Sequence, residues 1–169
     1  MRERAPGGGG LLRNEWWRVG GAVLAGVVAA SSLPPWGFWP LGFAGVAGLA
    51  LLVAGRAWLG RLAVGAAWGL GFFTTGLWWM GEFSMPGAGA VVVLETLFVT
   101  AAVVAVPPGR WGLLAGPGAL VLAEAARSAT PFGGLPMAGL ALGQAASPLA
   151  GAARVGGPLL VLGLVAAGG

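Results

Sequence analysis

No cysteine, histidine, lysine, aspartate or tyrosine occurs among the 169 residues. Each absence removes a class of chemistry. Without Cys there is no disulfide, no thiolate nucleophile and no Cys-bound metal. Without His, the commonest general base and the commonest metal ligand are missing. Without Lys there is neither a P-loop nor a Schiff base. Ser and Thr are present, but nothing stands by to activate them, and no pair of carboxylates is supported for acid–base work. We therefore expect no catalytic residue, no metal and no cofactor in this chain. Charge is scarce too. Only 8% of residues are charged, against roughly 25% in soluble domains. The calculated isoelectric point of 11.7 resembles that of a nucleic-acid binder, yet the net charge is only +4. Spread thinly between apolar runs, it reads as membrane orientation, with no nucleic-acid partner.

What is abundant is apolar. Hydrophobic residues make up 57% of the chain, and mean hydropathy is +0.87. After a basic, Gly-rich tail over 1–15, expected to be disordered, six apolar stretches follow. They run from about Trp16 to Leu33, Phe38 to Gly55, Leu62 to Gly81, Ala88 to Val106, Trp111 to Ala126, and Val155 onward. A helix that crosses the hydrocarbon needs ~17–25 residues. The first four fit, the fifth is slightly short, and the sixth is too short as written. The expected fold is an all-α integral membrane protein, a polytopic helical bundle with five full transmembrane helices and the start of a sixth over 16–169. The first stretch also has the basic start and small residues (Ala29, Ala30, Ser31) of a cleaved signal peptide, but the next segment is another membrane helix. Placing the N-terminus in the cytoplasm puts Arg2, Arg4, Arg13, Arg18, Arg56, Arg61 and Arg110 inside and leaves Arg127 and Arg154 outside, the positive-inside bias of a multi-pass plasma-membrane protein.

Pro34, Pro35 and Pro40 break helix geometry between the first two stretches. Trp36 and Trp39 beside them, and Trp78 and Trp79 after the third stretch, are candidate interfacial anchors at the outer boundary; Trp16 and Trp17 suit the inner one. Gly65 with Gly69, and Gly112 with Gly116, have the four-residue spacing that lets helix backbones approach.

Four polar residues stand out as candidates for substrate or lipid contact. Glu95 lies about 10 Å into the fourth stretch at ~1.5 Å per residue, where an ionised carboxylate is costly without a partner. It either meets a headgroup or proton, or bonds across helices, with Thr74, Thr75 or Thr100 as expected partners. Glu124 and Arg127, three apart on one helix face, either pair locally or bind a headgroup. Gln144, the only Gln, sits in the apolar, Pro-punctuated stretch Thr130–Pro148, which suits an interfacial or re-entrant element. Glu82 reads as a solvated boundary residue.

Several segments resemble, in order, the N-terminal membrane domain of the apolipoprotein N-acyltransferases, the actinobacterial type above all. They are Leu33-Pro-Pro-Trp-Gly-Phe-Trp-Pro40, Trp68-Gly-Leu-Gly-Phe-Phe73 with Leu77-Trp-Trp79, Glu124-Ala-Ala-Arg127, Pro131-Phe-Gly-Gly-Leu-Pro136 with Leu142-Gly-Gln144 and Ser147-Pro-Leu149, and Gly156-Gly-Pro158. Met137 stands where the family usually has an aromatic. The resemblance implies an enzyme family that moves an acyl chain from a membrane phospholipid to the N-terminal Cys of a diacylated lipoprotein, through a Glu, a Lys and a Cys on an extracytoplasmic nitrilase-like domain. Having no Cys or Lys, this chain cannot hold that triad; it is expected to be a partial or truncated member, inactive alone. Some relatives are fused to, or associate with, a polyprenol-phosphate mannose synthase. A small transporter or channel, and a non-catalytic membrane scaffold for a separate enzyme, are the rival expectations.

Overall fold

The computed structural model describes residues 9–169 apart from Pro108, Phe132 and Pro136. Among them are six α-helices and no strand. They are α1 (Gly9–Ala30), α2 (Pro40–Val53), α3 (Trp58–Gly76), α4 (Met85–Ala105), α5 (Arg110–Ala129) and α6 (Ala153–Gly168). Local chemistry sets their ends. Pro40 occupies the first turn of α2, where its missing N–H costs nothing. Ser84 caps α4, its Oγ accepting from the Gly87 N–H at 3.2 Å. Gly109, at φ 73°, turns the chain into α5.

Three expectations change. The tail was expected to reach residue 15, but α1 starts at Gly9; Leu11, Leu12, Arg13 and Glu15 are good helix formers, and no proline interrupts them. Residues 1–8, with Arg2 and Arg4, lie outside the described residues. The third stretch divides, α3 ending at Gly76 and a 3-10 segment, Trp78–Glu82, following it. The sixth stretch is longer than expected, because a 3-10 turn at Pro148–Ala152 runs directly into α6. Among the described residues, two segments, Met85–Ala105 and Pro148–Gly168, 21 residues each, are long and apolar enough to cross a membrane. Helix α2 has 14 residues, fewer than the ~17 a span requires, since Pro40 and the left-handed Gly55 bound it. Charged residues, Gly and Trp dilute the apolar character of α1, α3 and α5.

The helices close a ring. Helix α1 packs on α2 and α3, α3 on α4, α4 on α5, α5 on α6, and α6 returns to α2. Inside lie Trp68, Phe72, Phe73, Leu33, Leu77 and Val165. The Trp68 ring stacks on Phe72 at 5.0 Å, and its indole N–H donates to the Gly45 carbonyl at 3.0 Å. Burying an indole this deeply requires such a partner. Backbones touch at the α1–α3 seam: a Cβ on Gly26 would run into the Trp68 carbonyl, and one on Gly71 into the Val23 carbonyl. The expected Gly65–Gly69 pair does face α4, at Thr100 and Thr96, whereas Gly116 of the second pair meets nothing within 4 Å.

Gly26→Val should therefore lower folding stability by at least about 3 kcal/mol, the upper end of ordinary overpacking, because the obstacle is backbone. Gly20→Ala on the same helix, where a Cβ meets nothing, should be neutral or slightly stabilising. Thermal unfolding of the two variants in detergent checks the contrast; equal effects would mean that the α1–α3 seam is not backbone-tight.

Candidate functional site

Three of the four candidate polar residues meet at one point. Glu95 comes from α4, and Glu124 and Arg127 from the last turns of α5. The Arg127 side chain is 2% exposed, Glu95 1% and Glu124 13%. Arg127 Nη1 donates to Glu95 Oε2 at 2.5 Å. Its Nε and Nη2 donate to the two oxygens of Glu124 at 2.7 and 3.0 Å, a bidentate pair. A further bond from Nη1 reaches the Met137 carbonyl at 2.8 Å, and the Phe73 ring of α3 lies 5.4 Å from the guanidinium carbon. The cation thus joins α3, α4, α5 and the connection that follows α5.

Glu95 does bond across helices, but to Arg127 and not to Thr74, Thr75 or Thr100. The Thr100 hydroxyl instead donates to the Thr96 carbonyl at 2.7 Å, within its own helix. The reason is energetic: a buried carboxylate gains far more from a guanidinium than from a hydroxyl. Glu95 Oε1 has no hydrogen-bond partner among the described residues. Neither Glu95 nor Arg127 presents a free charge at the surface.

Gln144 belongs to a second polar point. It is 0% exposed, and its Nε2 donates to the Trp39 carbonyl at the start of α2, at 3.0 Å; its Oε1 is unpartnered. Buried Ser32 lies beside it and donates to the Ala29 carbonyl at 2.6 Å. The connection between α5 and α6 is thereby tied down twice, by Arg127 through Met137 and by Gln144 through Trp39. The Leu135 N–H also returns to the Arg127 carbonyl at 3.0 Å. Phe132 and Pro136 of this connection lie outside the described residues.

Between the strapped connection and the bundle is a cavity of about 490 Å³, lined by Pro34, Pro35, Trp78, Trp79, Met137 and Leu142 among others. Trp36, Trp78 and Trp79 are about half exposed, while Trp39 is partly covered and sits edge-on to Phe43. Met137, Ala138 and Gly139 were not legible as site residues. Met137 contributes a backbone carbonyl, Ala138 sits at φ 51°, and a Cβ on Gly139 would meet Glu124 Oε1 at 3.0 Å. Such backbone roles leave no side-chain signature. Phe73 lay within a recognised motif, but only its packing brings it beneath the guanidinium.

Removing one partner of a buried ion pair strands the other. Arg127→Met should cost about 3–5 kcal/mol, and Glu124→Gln only about 1 kcal/mol, because Glu124 is more accessible and Gln keeps an acceptor. Adding Glu95→Leu to Arg127→Met should recover most of the loss. Thermal unfolding of the three variants tests this; equal losses for Arg127→Met and Glu124→Gln would show that the cluster does not organise the fold.

Comparison with known proteins agrees with the geometry in its extent. A stretch of 71 residues is 39% identical to an apolipoprotein N-acyltransferase of Rhizobium rhizogenes; the match covers 36% of this chain and 13% of that protein. The apolipoprotein N-acyltransferase N-terminal domain family matches residues 25–169, a span that takes in the core aromatics, the Glu95–Arg127–Glu124 cluster and the strapped connection, and the chain belongs to that family.

Proposed function

We propose that this chain is the multi-pass membrane domain of an apolipoprotein N-acyltransferase, with the N-terminus on the cytoplasmic side. Its task is to hold lipid substrates for transfer of an acyl chain from phospholipid to the N-terminal Cys of a diacylated lipoprotein. Family membership over residues 25–169 is the observation that carries this reading.

The distribution of polarity supports it. Outward-facing positions include Leu51, Leu97, Leu114, Leu122 and Val155, all exposed, while Glu95, Arg127, Gln144, Ser32 and Thr96 are buried. Water would penalise that arrangement and hydrocarbon favours it. At the outer end, the cavity between Pro34–Pro35, Trp78–Trp79 and Leu142 has apolar walls suited to an acyl chain. Its floor is fixed by Arg127, which holds Met137 in place. On this reading Glu95, Glu124, Arg127 and Gln144 are positioning residues for the cavity wall.

The absence of Cys makes topology directly measurable. Ala146→Cys and Glu82→Cys should react with a membrane-impermeant maleimide added outside cells, and Ala57→Cys only after lysis. The reverse pattern would overturn the orientation. For function, residues 25–169 should replace the matching segment of a complete family member and still support acyl transfer to a diacylglyceryl-cysteine peptide. Leu142→Trp, narrowing the cavity, should slow that transfer by about tenfold, near the ~1.4 kcal/mol equivalent. A correctly inserted chimera without transfer would count against the reading, and undiminished transfer by Leu142→Trp would remove the cavity from the acyl path.

A further inference from the structure

A second cavity, of about 460 Å³, lies at the opposite end of the bundle from the Arg127 cluster. It opens where α2, α4 and α6 end and α3 and α5 begin. Val53, Val103, Leu120 and Ala166 form apolar walls, and Gly116 of α5 faces it with no neighbour within 4 Å of where a Cβ would stand. Its volume is that of a small-molecule site.

One wall is charged. Arg61 lines the cavity and is 6% exposed. Its Nε donates to the Arg56 carbonyl at 2.9 Å, and Nη1 donates to the Val106 carbonyl. Both partners are neutral, and among the described residues no carboxylate pairs with it. The contrast with Arg127, which holds two carboxylates, is direct. A buried cation without a counter-charge is costly. The buried Arg61 guanidinium makes the charge beside the slot positive, which favours an anion at the mouth. An apolar slot beside an uncompensated guanidinium fits an amphiphile with an anionic head and an alkyl tail.

We propose that this cavity binds one anionic phospholipid, with an acyl chain along Gly116–Leu120 of α5 and the phosphate at the mouth beside Arg61. The inference rests on the membrane placement proposed above. It adds a lipid site at the end of the bundle away from the outer cavity. The bound lipid would fill the space at Gly116 of α5, where a Cβ would meet no neighbour among the described residues, and would supply the charge that Arg61 lacks.

Photolabelling tests it. The chain is placed in phosphatidylcholine nanodiscs doped with phosphatidylglycerol that bears a diazirine on its acyl chain, and labelled residues are mapped by mass spectrometry. Label should concentrate on Val103, Gly116, Ala119 and Leu120. Gly116→Leu, which fills the slot without meeting backbone, should reduce that label by about tenfold, the effect of denying the site roughly two methylenes. Gly118→Leu, at an outward glycine with equal room, should not. Phosphatidylcholine with the same labelled chain should mark these residues several-fold less. Label confined to outward residues such as Leu114 and Leu122 would overturn the site while leaving membrane insertion intact. Equal labelling by the two headgroups would overturn the role of charge. Cavity residues protected by a second copy of the chain, seen as a dimer lost in Gly116→Leu, would also overturn the proposal.

Discussion

The Arg127 guanidinium is the group on which the half of the structure beneath the α5–α6 connection depends. It is a planar cation with five N–H donors, and four contacts converge on it from different parts of the chain: Glu95, both oxygens of Glu124, the Met137 carbonyl and the face of Phe73. Glu124 orients it from one turn below, Glu95 draws α4 to α5, and Met137 brings the following connection across. In a low-dielectric interior such a group admits few alternatives. Each acceptor it loses leaves a buried charge under-solvated, so its geometry is held by all partners together.

That cluster explains how an apolar connection without an α-helix or strand can be ordered. The segment between α5 and α6 is held locally only by short turns and two 3-10 segments, Leu142–Gln144 and Pro148–Ala152, and carries three prolines and two left-handed glycines, Gly133 and Gly134. Two ties hold it, one to Arg127 and one from Gln144 to the Trp39 carbonyl. Between them the chain passes over Leu33 and Leu77 and leaves a cavity rimmed by Trp78 and Trp79. The polar residues at this end therefore shape an apolar surface, without offering charge to a ligand. On the proposed reading, this gives an N-acyltransferase membrane domain a defined wall for alkyl chains.

The two ends of the bundle solve the problem of buried charge differently. At the Arg127 end the chain itself supplies the acceptors that the cation needs. At the other end, among the described residues, Arg61 meets only carbonyl dipoles, beside an apolar slot that Gly116 of α5 leaves open. On the proposed reading, lipid completes there what the protein completes for itself at the Arg127 cluster.

The sequence by itself determined the class of the fold. Long apolar stretches parted by proline, with almost no charge, leave helices as the economical way to satisfy every backbone group. It also placed Glu124 beside Arg127, because three residues along a helix is a contact wherever the helix goes. Gly65 and Gly69 could be read as a packing face on the same local ground. Tertiary structure alone decided the rest. Glu95 and Arg127 are separated by 32 positions, and which of several buried polar groups Glu95 meets depends on the rotation and depth of α4 against α5. No periodicity encodes that. The length of the last segment turned on a 3-10 run that prolines had disguised as an interruption, and the start of α1 on propensities that composition had hidden under a Gly-rich tail. Met137 acts through its carbonyl, which every residue owns, and becomes distinctive only where a folded chain carries it to a cation.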